Sequence, residues 1–117
     1  KDSGNTNIIL TERGTMFGYN DLVVDYRSIP IMKSYGFPVV LDITHSLQEP
    51  NNISGLTGGK PELIETIAKA GVAIGIDGIF LETHFNPNDS KSDSKNMLDL
   101  KRLEDLLDKL LRIRKSI

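Results

Sequence analysis

Short apolar runs alternate along the chain with longer amphipathic stretches, and glycine, proline and asparagine mark the joints between them. Residues 7–11 form a β-branched and apolar run with Gly4 before it and Gly14 and Gly18 after it, which predicts a strand leading into a loop. Residues 39–43, after Pro38, are apolar on both faces, as in a parallel strand buried from both sides. A third strand is centred on Ile79, Phe80 and Leu81. Helical spacing fills the intervals. Leu22, Val23, Tyr26, Ile29, Met32 and Tyr35 recur at three and four residues, but Pro30 would break an interior turn. That helix is therefore expected to begin near Ser28, either capped by Ser28 or entered through Ile29, with the proline in its first turn. Residues 61–73 predict a second helix whose stripe is Leu63, Ile64, Ile67, Ala68 and Val72. A third follows its expected cap, Asp99, and presents Leu100, Leu103, Leu106, Leu107, Leu110 and Ile113 on the face that should pack against the sheet.

This strand-helix order predicts an α/β fold with a parallel sheet. Only three such units fit in 117 residues. Three parallel strands cannot close a barrel, and a (β/α)8 barrel takes about 250 residues. The expectation is a portion of a single barrel domain, incomplete without upstream strands and not a stable enzyme alone, since its apolar strands need neighbours on both sides.

Composition narrows the classes of function. A formal charge of −2, from 14 Lys+Arg against 16 Asp+Glu, provides no basic field for nucleic acid. No apolar stretch reaches the roughly 20 residues that span a bilayer, and no signal segment opens the chain, so no membrane partner and a cytoplasmic location are expected. With no cysteine, this segment holds no disulfide and no thiolate nucleophile or ligand.

The chemistry concentrates where strands run into loops, the end at which α/β folds place their sites. His45, Glu82 and Asp93 combine an imidazole with two carboxylates, a donor set suited to Zn, Fe or Mn. The alternative is a hydrogen-bonded strand-end histidine and an ordinary loop carboxylate. Glu82, flanked by Phe80, Leu81 and Phe85, would be a costly buried charge unless a metal, cation or donor met it. Strand alternation would put His84 on the same face as Glu82, either sharing its cavity or orienting it from behind. Arg13, with Gly14 and Gly18 leaving room for a ligand, offers a planar fork to a phosphate or carboxylate; its alternative is an ion pair with Glu12 or another acid. Lys60 follows Gly58 and Gly59, but Pro61 stands where a phosphate loop needs Ser or Thr. Asp42, inside the second strand and opposite in parity to His45, lacks an identifiable partner.

Three ordered motifs carry a resemblance: Leu10-Thr11-Glu12-Arg13-Gly14 with Phe17-Gly18-Tyr19, then Asp42-Ile43-Thr44-His45-Ser46-Leu47-Gln48, then Leu81-Glu82-Thr83-His84 with Pro87. Together they resemble the C-terminal part of the 3-deoxy-D-manno-octulosonate 8-phosphate synthases (2-dehydro-3-deoxyphosphooctonate aldolases), over nearly the whole chain. The resemblance implies a (β/α)8 TIM barrel, of which residues 1–117 supply roughly the last three βα units. It implies condensation of phosphoenolpyruvate with D-arabinose 5-phosphate, releasing phosphate and making a sugar acid for lipopolysaccharide, in a homotetramer. Arg13 matches the arginine that binds the phosphate of phosphoenolpyruvate. Gln48 and the loop ending at Lys60 match the pentose-phosphate side. His45, Glu82 and Asp93 match metal-site positions of the metal-dependent subclass, whose fourth ligand is a first-strand cysteine outside this sequence. The metal-independent subclass has asparagine there. Ser92-Asp93-Ser94 resembles the metal-dependent form, although the visible residues do not decide the subclass. Two alternatives stand beside this reading: a sister synthase making 3-deoxy-arabino-heptulosonate 7-phosphate, and a noncatalytic fragment or binding module.

Overall fold

The computed structural model describes residues 2–16, 21–50, 58–90 and 94–117. Its centre is a three-stranded parallel sheet in the order β1 (Leu10–Glu12), β2 (Val39–Asp42), β5 (Gly78–Phe80). Leu10 pairs with Val39, and Leu41 with both Glu12 and Ile79. The first strand thus begins three residues later, and ends one residue later, than its apolar run predicts. Helix α1 (Ser28–Lys33) connects β1 to β2, and helix α2 (Ile64–Ile74), entered through a 3-10 turn at Pro61–Leu63, connects β2 to β5. Helix α3 (Leu103–Ser116) returns after β5. Two strand pairs sit beyond the sheet: β3 (Gln48–Glu49) antiparallel to β4 (Gly58–Gly59), and β6 (Thr83–His84) parallel to β7 (Leu98–Asp99). Neither pair follows from the hydrophobic pattern.

Ser28 does open α1 with Pro30 in its first turn, but it caps nothing. Its hydroxyl instead donates to Glu12 Oε2 at 2.5 Å. Asp99 behaves as expected, its Oδ1 accepting from the Lys101 amide at 3.0 Å. Helix α2 ends on Gly75 at φ 93°, a left-handed cap that glycine adopts without strain. The chain then turns back so that Asp77 Oδ2 accepts from Val39 N at 2.9 Å while Asp77 N donates to Val39 O at 2.8 Å. Lys33 closes this end by reaching Asp77 Oδ1 at 2.9 Å and Gly75 O at 2.7 Å. The Val39 amide, then Lys33 and the nearby Arg114, hold the Asp77 carboxyl below the ordinary carboxylate range against an opposing effect of burial.

Alternation divides the sheet into two faces. Val39 and Leu41 meet Ala68, Val72, Ile76, Leu106 and Leu110, and this is the core. Helix α2 approaches so closely at Gly71 that an added Cβ would stand 2.5 Å from Leu41 Cδ2. The other face carries Thr11, Val40 and Phe80, with Phe80 45% exposed. Helices cover one side of this sheet and nothing among the described residues covers the other, which in a closed barrel is the interior. No helix among the described residues is long and apolar enough to cross a membrane.

Candidate active site

All the polar groups of interest lie at the C-terminal ends of the strands, as parallel order dictates. After Asp42 the extended backbone stops, and a 3-10 turn begins at His45. The change of conformation cancels strand parity, so Asp42 and His45 meet. Asp42 Oδ1 accepts from Thr44 N at 3.0 Å and His45 N at 2.8 Å, and Oδ2 lies 2.8 Å from His45 Nδ1. The opposite ring nitrogen, Nε2, faces Glu82 Oε1 at 3.3 Å. The His45 ring also lies against Phe80, with centroids 5.7 Å apart.

Glu82 is placed from both sides by its backbone. Its amide donates to Thr44 Oγ1 at 2.8 Å, and its carbonyl accepts from Leu98 N at 3.1 Å. Thr44 is wholly buried, so this hydroxyl is an internal strut between the ends of two strands. His84 does not join Glu82 as alternation predicted, because β5 ends at Phe80 and the register restarts in β6. Its Nδ1 lies 2.7 Å from the Asn86 carbonyl oxygen, and its ring stacks on Phe85.

Two ligands at 2.0–2.2 Å from one near-tetrahedral ion are about 3.3–3.6 Å apart. His45 Nε2 and Glu82 Oε1 therefore have the donor chemistry and the separation to share a cation, with Asp42 behind the imidazole as metal-ligating histidines commonly require. Asp93, the third expected donor, lies outside the described residues. Among the described residues no group of three such donors gathers.

Arg13 follows β1 and is exposed. The Glu12 carboxylate is directed elsewhere, to the Gly14 amide at 2.7 Å and to Ser28. Arg13 instead donates from Nη2 to Gln48 Oε1 at 3.1 Å, joining two residues 35 positions apart. That bond occupies one of five guanidinium donors and leaves the rest of the fork for an anion. Gly14, at φ 87°, lets the chain pass close to the Leu22 side chain and the Ser46 backbone. Lys60 lines a cleft of about 230 Å³ together with Gln48 and Asp21. It is bound to Asp21 and lies 3.4 Å from Glu49. Its ammonium is held above the ordinary lysine range chiefly by Asp21, with Glu49 adding to this and desolvation opposing. Lys60 is thus shared between two carboxylates, while Arg13 makes no ion pair among the described residues.

One positioning contact was invisible in the pattern. Asn96, 1% exposed, reaches back to donate to Gly58 O at 3.3 Å. An added Cβ on Gly59 would lie 1.9 Å from Asn96 Oδ1, so only glycine leaves space for it. Asp42 and Thr44 could have been marked by their places within three residues of His45, but the turn that joins them has no sequence signature of its own.

Known proteins place this arrangement. The chain is 54% identical over 110 residues to proteins named 2-dehydro-3-deoxyphosphooctonate aldolase from Agrobacterium fabrum and Rhizobium meliloti, matching 94% of this chain and 39% of each relative. The Brucella ovis protein of that name is 49% identical over the same length. The chain thus spans about two fifths of the curated relatives it matches. Among solved structures, the Thermotoga maritima phospho-2-dehydro-3-deoxyheptonate aldolase (DAHP synthase) superimposes with a TM-score of 0.81 at 30% identity, over 98% of this chain and 32% of that one. A truncated form of 3-deoxy-D-arabino-heptulosonate 7-phosphate synthase from Thermotoga maritima gives 0.83 at 30% identity, over 98% of this chain and 41% of that one. The sheet and helices are accordingly consecutive βα units of a TIM barrel. The family model described as the DAHP synthetase I family matches residues 1–117 throughout, and the chain belongs to that family.

Proposed function

We propose that residues 1–117 are the C-terminal portion of a single (β/α)8 barrel whose full-length form condenses phosphoenolpyruvate with D-arabinose 5-phosphate, giving 3-deoxy-D-manno-octulosonate 8-phosphate and phosphate. The observation that carries the reading is the identity of 49–54% to relatives named for the octulosonate reaction. The heptulosonate alternative draws on the family description and on the solved structures, whose identity is 30%. The uncovered sheet face supports a domain completed by further strands.

Arg13 binds the phosphate of phosphoenolpyruvate through the part of its fork that Gln48 leaves open, and Gln48 fixes the plane of the guanidinium. A rigid, planar cation aligned in this way holds an anion in one orientation, which converts binding into placement of the reacting carbon. Lys60 completes the pentose-phosphate side of the cleft, with Asp21 and Glu49 setting where its ammonium rests. His45 Nε2 and Glu82 Oε1, together with Asp93, hold the divalent cation in the metal-dependent form. Bound there, such an ion supplies Lewis-acid polarisation of a carbonyl or a water. Phe80 against the His45 ring keeps one wall of this pair apolar, which strengthens electrostatic contacts by excluding water. The enzyme works in the cytoplasm as a homotetramer and serves lipopolysaccharide synthesis.

The test is incubation of the full-length enzyme with phosphoenolpyruvate and each aldose phosphate in turn, following phosphate release and product mass. Turnover with arabinose 5-phosphate and little with erythrose 4-phosphate is expected. The reverse preference would transfer the chain to the heptulosonate synthases, and binding of neither substrate would leave a noncatalytic module. Light scattering on the same preparation reads the oligomeric state.

A further inference from the structure

The carboxylate of Asp42 is 6% exposed, and all its described bonds run to the backbone and ring at the His45 end of the site. An ionised carboxylate has acceptors only, so its 2.8 Å contact with His45 Nδ1 places a proton on that nitrogen. In the neutral ring the lone pair then sits on Nε2, the atom facing Glu82 Oε1 at 3.3 Å. We propose that Asp42 is a positioning residue: it fixes His45 as the Nδ1-protonated tautomer and turns the Nε2 lone pair toward the point shared with Glu82, where a divalent cation is held. The two backbone amides bound to Oδ1 matter as much as the ring contact, because they hold the carboxylate still while it orients the imidazole. The inference rests on the reading of His45 and Glu82 as an ion-holding pair, within the proposed synthase.

Asp42→Asn in the full-length enzyme isolates the effect. Asparagine retains size and an oxygen for the two amides, but it turns an N–H toward Nδ1. That nitrogen must then accept, and the ring proton moves to Nε2 and blocks it. The expected result is a Co²⁺ dissociation constant raised about ten- to hundred-fold, with far-ultraviolet dichroism and the thermal midpoint unchanged. Unchanged Co²⁺ affinity in a folded Asp42→Asn protein overturns the proposal. Should that variant not fold, the decision falls to wild-type enzyme labelled with ¹⁵N-histidine and loaded with Zn²⁺, the His45 signals being assigned by their loss in His45→Gln. A protonated Nδ1 with a metal-bound Nε2 supports the proposal; a protonated Nε2, or coordination through Nδ1, overturns it. So does a wild type that binds neither ion, as expected if an imidazolium bridges the two carboxylates. Product formation is scored separately: an active wild type without bound ion removes this role of Asp42 and leaves the synthase reading, whereas an inactive one with the expected Zn²⁺ signals does the opposite.

Discussion

Thr44→Val tests whether the internal strut between β2 and Glu82 sets the site. Thr44 is 0% exposed and its Oγ1 accepts from the Glu82 amide at 2.8 Å. Valine fills the same space but strands that amide, at a cost of about 1–3 kcal/mol. Exchanging hydroxyl for methyl in a fully buried position returns roughly 0.8 kcal/mol. The net loss is therefore about 1 kcal/mol, worth a fall of roughly 2–4 °C in the melting temperature of a domain of barrel size. Turnover should fall far more. With its amide released, the backbone of Glu82 keeps only the Leu98 bond on its carbonyl among the described residues, and a shift of about 1 Å at a reacting centre can cost on the order of 100-fold. Thr44→Ser separates the two effects, since it loses a buried methyl of similar energetic weight but keeps the acceptor. In the full-length enzyme both variants should melt a few degrees early, and only the valine variant should lose most of its turnover. A valine variant with wild-type turnover, or a serine variant equally impaired, would refute the strut.

Three further outcomes follow from the geometry. Arg13→Lys keeps the charge but loses the planar fork and its bond to Gln48, so titration calorimetry should show phosphoenolpyruvate binding weakened by roughly ten-fold or more with metal content unaltered; equal affinity would remove Arg13 from the anion site. Glu82→Gln preserves size while removing the charge proposed to hold a cation, so elemental analysis should show reduced metal occupancy and assays sharply reduced turnover in a folded barrel, and chelation of the wild type should have the same effect on rate. Activity that survives chelation in a metal-free enzyme would place it in the metal-independent subclass. Asp77→Asn probes the opposite end of the strands: because the native carboxyl is held below its ordinary value, its stabilisation is present above the unfolded pKa and fades as pH falls through the lower folded value. Urea midpoints of variant and wild type should therefore differ at pH 7 and begin to draw together only as pH falls below about 4, and a gap constant down to pH 3 would exclude the linkage.

Where sequence reading succeeded, one-dimensional periodicity and three-dimensional packing coincide. The apolar run of β2, the stripe of α2 and the Asp99 cap before α3 all have local causes. Failures gather where the backbone changes type over a few residues. Parity set Asp42 apart from His45 and placed Glu82 beside His84, and both readings fail because β2 ends at Asp42 and β5 at Phe80. Ser28 has the composition of a cap but finds a stronger partner in Glu12, whose carboxylate is thereby turned away from Arg13 and from the ion pair that stood as the alternative to anion binding. The β3–β4 and β6–β7 pairs are two residues per strand, too short for any alternation to register. The Arg13–Gln48 and His45–Glu82 encounters depend on strand order, which the pattern of one chain implies only once a fold is assumed.

The inserted side chain of Asn96 has a mechanical consequence. Occupying the space that Gly59 leaves vacant and bonded to the Gly58 carbonyl, it works like a key in a slot that holds β4 to the segment containing Asn96. Asn96 stands 38 positions from Gly58 in the chain, so this one contact ties β4 to the segment that leads into β7, and alanine at position 59 would part the two by forcing the key out.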